Sequence, residues 1–452
     1  MQLNRAMFVR SFIATAISVL MALSSSADWT YTETNTVQNG TSKGSITDGV
    51  WTFYAERANG VKDELTIDAR NGVSNKLAQP AKIDFTQIKD GYKVIKFIGV
   101  NNTKSPLVLY TTEFIAPHCL NLSGQGIFYP GNANNTTLTK IALRQDAAVT
   151  LGNGLMFMNC TSLTSFTPKR ITNIELQENM FSGCSRLEGE FEFPNCTLFH
   201  GNAFNGCAVI GGIKATNLVT IGQSAFNGCV SLSNVVVSPL VLKINHSAFK
   251  NCKKISTGFV QGLLNRSLTT LQDDAFLNCT GLTGTLVWDC PKLTTIPGSC
   301  FSGCSSLERV EIKSHVDEIK NSAFLNLKNG AEVFLPKSPV AKYGLSAVAS
   351  SNAPFPRVYI SDDVEGWLKV MYEATQNHLM RKEEFGDTTW VSKHLNDVSW
   401  GRNIGGKIKS DTTMYKDDKV LDKNVVAFIM GYVNNGCWVL KRPKIGFSIR
   451  VR

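Results

Sequence analysis

One short pattern returns eight times between Phe157 and Leu327, and it leaves the chain little freedom of architecture. Its copies are Phe157-Met-Asn-Cys160, Phe181-Ser-Gly-Cys184, Phe204-Asn-Gly-Cys207, Phe226-Asn-Gly-Cys229, Phe249-Lys-Asn-Cys252, Phe276-Leu-Asn-Cys279, Phe301-Ser-Gly-Cys304 and Phe324-Leu-Asn-Leu327. Successive phenylalanines lie 24, 23, 22, 23, 27, 25 and 23 residues apart. A period in the twenties describes a stack of small units, none of which can bury its apolar face without a neighbour.

Other positions recur in phase. An aliphatic follows each of the seven repeat cysteines by three residues, from Leu163 and Leu187 through Leu232 to Leu307. Another precedes most of the phenylalanines by five, as Leu176, Ile221, Ile244, Leu271, Ile296 and Ile319 do. Alanine commonly stands just before the phenylalanine, as at Ala225 and Ala248. One turn of a solenoid needs such a set of inward residues at fixed phase, so that like stacks on like.

The clearest copy, Thr220-Ile-Gly-Gln-Ser-Ala225-Phe226-Asn-Gly-Cys229-Val-Ser-Leu232-Ser-Asn-Val235-Val-Val237-Ser-Pro239, resembles the BspA-like, or treponemal-type, leucine-rich repeats. The resemblance runs from Leu151 to Pro336. It implies a leucine-rich-repeat solenoid, here of about eight coils. With the patterns of the flanking residues added, the expected fold is mainly β, with a β-rich amino-terminal cap and a small α+β carboxy-terminal region that matches no family. The longer repeats around Gly258 and Thr285 are expected to bulge or loop out. Each coil should contribute a strand starting at the aliphatic after the cysteine, with coils about 4.8 Å apart in parallel ladders.

Residues 1–27 carry Arg5 and Arg10, an apolar run from Ser11 to Leu23 and then small residues, which reads as a signal peptide. Nothing later has the length of a membrane-spanning helix, so no transmembrane anchor is expected after cleavage. Residues 28–153 alternate in short runs at 49–55, 64–68 and 93–98 and read as the β-rich cap, with degenerate early coils near Phe114 and Ile127. The repeats occupy 154–336, and 337–361 reads as a last irregular coil or linker. In 362–452 we expect one helix from about Asp363 to Met380, a hairpin across Asn434-Asn435-Gly436, and a third strand at the end.

Twelve cysteines in an exported chain would ordinarily suggest disulfides. Seven of them share one repeat position, where stacked Cβ vectors run parallel instead of converging, and this favours a ladder of buried free thiols. Among the other five, Cys290 and Cys300 are the best candidates for a bridge. No metal-ligand spacing, nucleophile elbow or phosphate loop is present, so neither a cofactor nor a catalytic residue is assigned. The formal net charge of +10 is dispersed, without the basic-aromatic stripe of a specific nucleic-acid binder.

The resemblance implies adhesin-type recognition of host, matrix or cell-surface partners. The expectation is an exported binding protein, secreted or cell-surface associated, that meets an extracellular protein or glycan through its solenoid face. Contact candidates are outward strand positions: Thr164, Ser233, Val236, Thr283, Arg309 and Glu311. Two alternatives stand beside this reading: a self-associating envelope or matrix component, and an enzyme with its site after Ser361.

Overall fold

The computed structural model describes residues 28–361 apart from 39–40, 59–60, 62, 100–101, 345 and 351–355, together with positions 367 and 370 and the stretches 427–430 and 437–441. The expected signal peptide and terminal third strand lie outside the described residues, and so does most of the helix expected after Asp363. Of that helix, Trp367 and Val370 are described and both are helical.

The repeat phenylalanines and cysteines form two buried ladders. Phe226, Phe249, Phe276, Phe301 and Phe324 stack with ring centroids 5.3, 5.5, 5.4 and 5.6 Å apart and interplanar angles of 11° or less. The backbone is tied at the same level: Phe226 N–H donates to Ala248 O and Phe249 N–H to Ala275 O, each at 2.8 Å. The residue before the phenylalanine thus supplies the carbonyl that ties adjacent coils at this corner, as Met180 also does for Phe157 N–H at 3.0 Å.

The cysteine position has its own reason. Cys184 Sγ donates to Phe157 O at 3.0 Å, Cys229 to Phe204 O at 3.1 Å, Cys252 to Phe226 O at 3.0 Å and Cys279 to Phe249 O at 3.1 Å. A thiol is small enough for the corner and supplies a weak donor to a buried carbonyl. The eleven cysteines from Cys119 to Cys304 are free and buried. That corrects the suggested Cys290–Cys300 bridge. Cys290 follows a main strand, whereas Cys300 takes the small-residue place before Phe301, so the two belong to different stacking positions of the coil.

Two residues in each coil adopt the left-handed conformation, two before and two after the phenylalanine. Around Phe249 they are Ser247 (φ 56°) and Asn251 (φ 62°), and around Phe226 they are Ser224 (φ 52°) and Gly228 (φ 76°). This region is open to glycine and tolerated by asparagine, while a β-branched residue there is strained. The repeat's alternation of Gly and Asn before Cys follows from that single requirement.

The chain divides into two compact units, residues 1–173 with 177–193, and residues 174–176 with 194–452. In the first unit β1 (Thr30–Gln38), β2 (Thr41–Thr47), β3 (Trp51–Ala58) and β4 (Glu64–Asn75) form an antiparallel meander. Strand β4 then pairs in parallel with β5 (Lys93–Gly99), and β5 with β6 (Asn121–Gly124). A short helix, α1 (Pro106–Tyr110), lies between β5 and β6. Along β3, Trp51, Phe53 and Ala55 are buried and their neighbours are not, which is the alternation of a one-faced strand. Phe53, Phe97, Phe114 and Phe128 continue inward edge to face, and Phe128 stacks on Phe157 at 5.8 Å and 13°. Coil stacking thus begins well before Leu151, and the solenoid has about 11 turns in place of the eight expected.

In the second unit, β7 (Ile210–Ala215) and β8 (Asn234–Val237) are parallel neighbours. The next coil carries helix α2 (Thr257–Leu263) where its strand would stand, which is how the 27-residue step is accommodated. Ser256 Oγ accepts from Phe259 N–H as its N-cap, and Val260 and Leu263 are buried. The sheet resumes as β9 (Gly284–Trp288), β10 (Leu307–Ile312), β11 (Glu332–Phe334) and β12 (Arg357–Ile360), all parallel. The tail joins this sheet: β13 (Ala427–Met430) and β14 (Cys437–Lys441) are antiparallel, and β14 pairs in parallel with β12.

Candidate binding surface

On β9 to β12 the inward residues Leu286, Val310, Val333 and Val358 are fully buried, so alternate positions must face outward. Register aligns the outward residues in two rows across the coils. One row is Thr285, Arg309, Glu332 and Arg357; the other is Val287, Glu311, Phe334 and Tyr359.

The first row is an alternating ionic ladder. Arg309 donates through Nη2 and Nε to Glu332 Oε2 at 2.7 and 3.1 Å, and Arg357 Nη2 lies 3.3 Å from Glu332 Oε1. Beside it in the second row stand the half-buried Phe334 and Tyr359, which is only 8% exposed. Phe334 and Tyr359 stack with centroids 4.4 Å apart and 6° between planes, and the Arg309 guanidinium lies over Phe334 at 4.6 Å. Tyr359 OH donates to Glu332 Oε1 at 3.2 Å. Burial, and then the Glu332 carboxylate, hold the Tyr359 phenol above its ordinary pKa. Glu311 sits 3.7 Å from Arg309 Nη1 and 3.6 Å from Lys313 Nζ.

The accessible members, Arg357 and the half-buried Arg309 and Phe334, are each held by a partner within the cluster, and side chains so held lose less freedom on contact than unpaired ones. Isolated exposed ion pairs contribute little to stability, but here both Glu332 oxygens are engaged, Oε2 by two Arg309 donors and Oε1 by Arg357 and Tyr359, and such a network is better placed.

The six expected contact residues do not gather at one place. Thr164 is in the first unit, where its N–H and hydroxyl donate to Thr139 O at 3.0 and 3.1 Å. Ser233 and Val236 lie at β8, and Thr283 just before β9. Thr164, Ser233 and Thr283 stand on the corners ahead of their strands, not within them. Arg309 and Glu311 are half-buried in the network above instead of being freely solvated. Reading single strands missed Glu332, Phe334, Arg357 and Tyr359. The available signal was phase: Arg309, Glu332 and Arg357 are 23 and 25 residues apart, the period of the array itself.

A second feature of this unit is a polar cleft of about 500 Å³ lined by Asp273, Glu318, Lys320, Lys342 and Tyr343, in which Lys320 Nζ lies 3.3 Å from Asp273 Oδ1. Among the described residues no three His, Cys, Asp or Glu side chains are grouped to hold a metal ion. Nor is any described helix long and apolar enough to cross a membrane.

A family model for the BspA type leucine rich repeat region matches in six copies over residues 124–256, 153–283 and 259–366, which together span more than half of the chain. Among solved structures, a leucine rich cell surface protein from Faecalibacterium prausnitzii A2-165 is similar at 17% identity and a TM-score of 0.37, covering 70% of this chain and 88% of that one. No curated protein matches the chain.

Proposed function

Since the chain belongs to the BspA-type leucine-rich repeat family, a family of repeat scaffolds, we propose that it is an exported, adhesin-like binding protein without catalytic activity. Its partner is an extracellular protein or glycan, met on the outward face of β9 to β12. The observation that carries this reading is the ordered cluster of Arg309, Glu332, Phe334, Arg357 and Tyr359. Its arginine, phenylalanine and tyrosine are types enriched at protein interfaces, while Glu332 pairs with both arginines. The signal-peptide-like pattern of residues 1–27 supports export, and the family's repeat supports recognition over catalysis.

The test is binding of the mature chain, from Asp28 onward, to an array of extracellular-matrix proteins and glycans, beside the Arg309→Ala/Arg357→Ala variant. Binding by the wild type that falls at least about tenfold in the variant, with an unchanged circular dichroism spectrum, supports the reading. Equal binding by both removes the cluster from the function. Sedimentation of the free chain as large concentration-dependent oligomers would instead favour a self-associating envelope component.

A further inference from the structure

Helix α2 interrupts the main sheet, and its two sides are treated differently. Toward β9 the helix imitates a strand. Val287 N–H donates to Gln261 Oε1 and Gln261 Nε2 donates to Val287 O, both at 2.8 Å. Thr257 Oγ1 likewise accepts from Thr283 N–H at 2.7 Å and donates to Thr283 O at 2.6 Å. The edge of β9 is thereby met by side chains at Val287, and at Thr283 just before the strand.

Toward β8 there is no such imitation. In a parallel ladder alternate residues direct both backbone groups to one neighbour. In this solenoid the outward residues point back to the preceding coil, as Arg357 N–H does to Ala331 O and Val287 to Gln261. Val235 and Val237, the inward residues of β8, therefore point forward to the coil that holds α2. No hydrogen bond meets them there among the described residues. Their side chains are only half-buried, while their counterparts Val310 and Ile312 are 0% and 2% exposed. Val236 and Leu240 beside them are 45% and 63% exposed.

The geometry points to a docking slot for one extended peptide strand, supplied by a protein partner, that pairs with the free edge of β8. Only a β-strand answers both demands of the slot, backbone groups at strand spacing and valines at alternate positions. Lys253 and Lys254, exposed at the corner where the missing strand would begin, select a peptide with acidic residues at that end. The slot is separate from the Arg309 cluster and goes beyond the reading given above.

The probe is a fluorescein-labelled peptide, Asp-Asp-Thr-Val-Thr-Val-Thr-Val, titrated with the mature chain and read by fluorescence anisotropy. We expect saturable binding that weakens about tenfold in Lys253→Glu/Lys254→Glu. Methylating the amide nitrogens along one edge of the peptide should abolish binding, and methylating the other edge should spare it. This control leaves the protein's fold untouched. The Arg309→Ala/Arg357→Ala variant should bind the peptide as the wild type does. No saturation by about 1 mM chain, equal effects of the two methylation patterns, indifference to the lysine substitutions, or loss of binding in the Arg309→Ala/Arg357→Ala variant would each overturn the proposal.

Discussion

Phe249→Ala is the perturbation that most directly probes how this stack holds together. The Phe249 ring is fully buried, with Phe226 at 5.3 Å on one side, Phe276 at 5.5 Å on the other, and Phe259 of α2 edge-on at 5.4 Å. Truncation to alanine removes the ring and leaves a cavity between two coils whose backbones remain bonded, so the site collapses poorly. The expected cost is about 3–5 kcal/mol. Phe249→Leu keeps most of the apolar volume and loses the ring contacts, each worth about 0.5–1.5 kcal/mol beyond area burial. Phe324, which stacks on Phe301 at 5.6 Å, is the comparison, because among the described residues it has one stacked ring neighbour. In a quasi-one-dimensional array each coil senses only its neighbours, so Phe324→Leu should cost less than Phe249→Leu. Urea unfolding of the mature chain, followed by far-ultraviolet circular dichroism, measures all three. A Phe249→Ala cost below about 1.5 kcal/mol, less than the range for cavity formation, or equal costs for the two leucine variants, would refute stacking between coils as the source of stability.

Three further outcomes follow from the same coil. The ladder thiols should resist iodoacetamide in the folded chain at pH 8 and react after unfolding, since burial pushes Cys304 up to about 12 and Cys160, Cys252 and Cys279 well above the ordinary thiol value; peptide mapping by mass spectrometry reads this. Because these folded-state values are raised, their stabilisation is complete below the unfolded thiol pKa of about 8.5 and is lost as pH rises through the folded values. The Tm should accordingly fall between pH 9 and 11, and fall less steeply in Cys229→Ala/Cys252→Ala. At the left-handed corner, Gly228→Asn should be nearly neutral and Gly228→Val should cost about 1–2 kcal/mol, because Gly228 has φ 76° and its added Cβ would meet nothing nearer than 3.6 Å; thermal melts separate the two.

Much of this architecture could be read without coordinates, for a physical reason. A residue that must stack on its own kind at every turn writes its position into the sequence again and again. The Phe and Cys ladders, the aliphatics that open the strands, and the Gly or Asn before each cysteine are all set by the local geometry of one coil. They therefore appear as a period in the chain.

Features that depend on what one coil does to another were less legible. The amino-terminal coils at Phe97, Phe114 and Phe128 use aromatics without the Phe-x-Gly/Asn-Cys signature, so the sequence showed only degenerate coils near Phe114 and Ile127 and the full number of turns could not be counted from it. The long step near Gly258 signalled an insertion, but only packing decided that it folds as a helix whose Gln261 and Thr257 meet one strand edge and leave the other open. Arg309 was visible as a strand residue. That it is shared with Glu332, and Glu332 with Arg357 and Tyr359, was fixed by the lateral register of β10, β11 and β12. The sequence by itself determined the coil and its repetition, because those are local. The tertiary structure alone decided which side chains meet across coils and where the sheet is broken, because a surface cluster or an open edge carries no penalty that each repeat must pass on to the next.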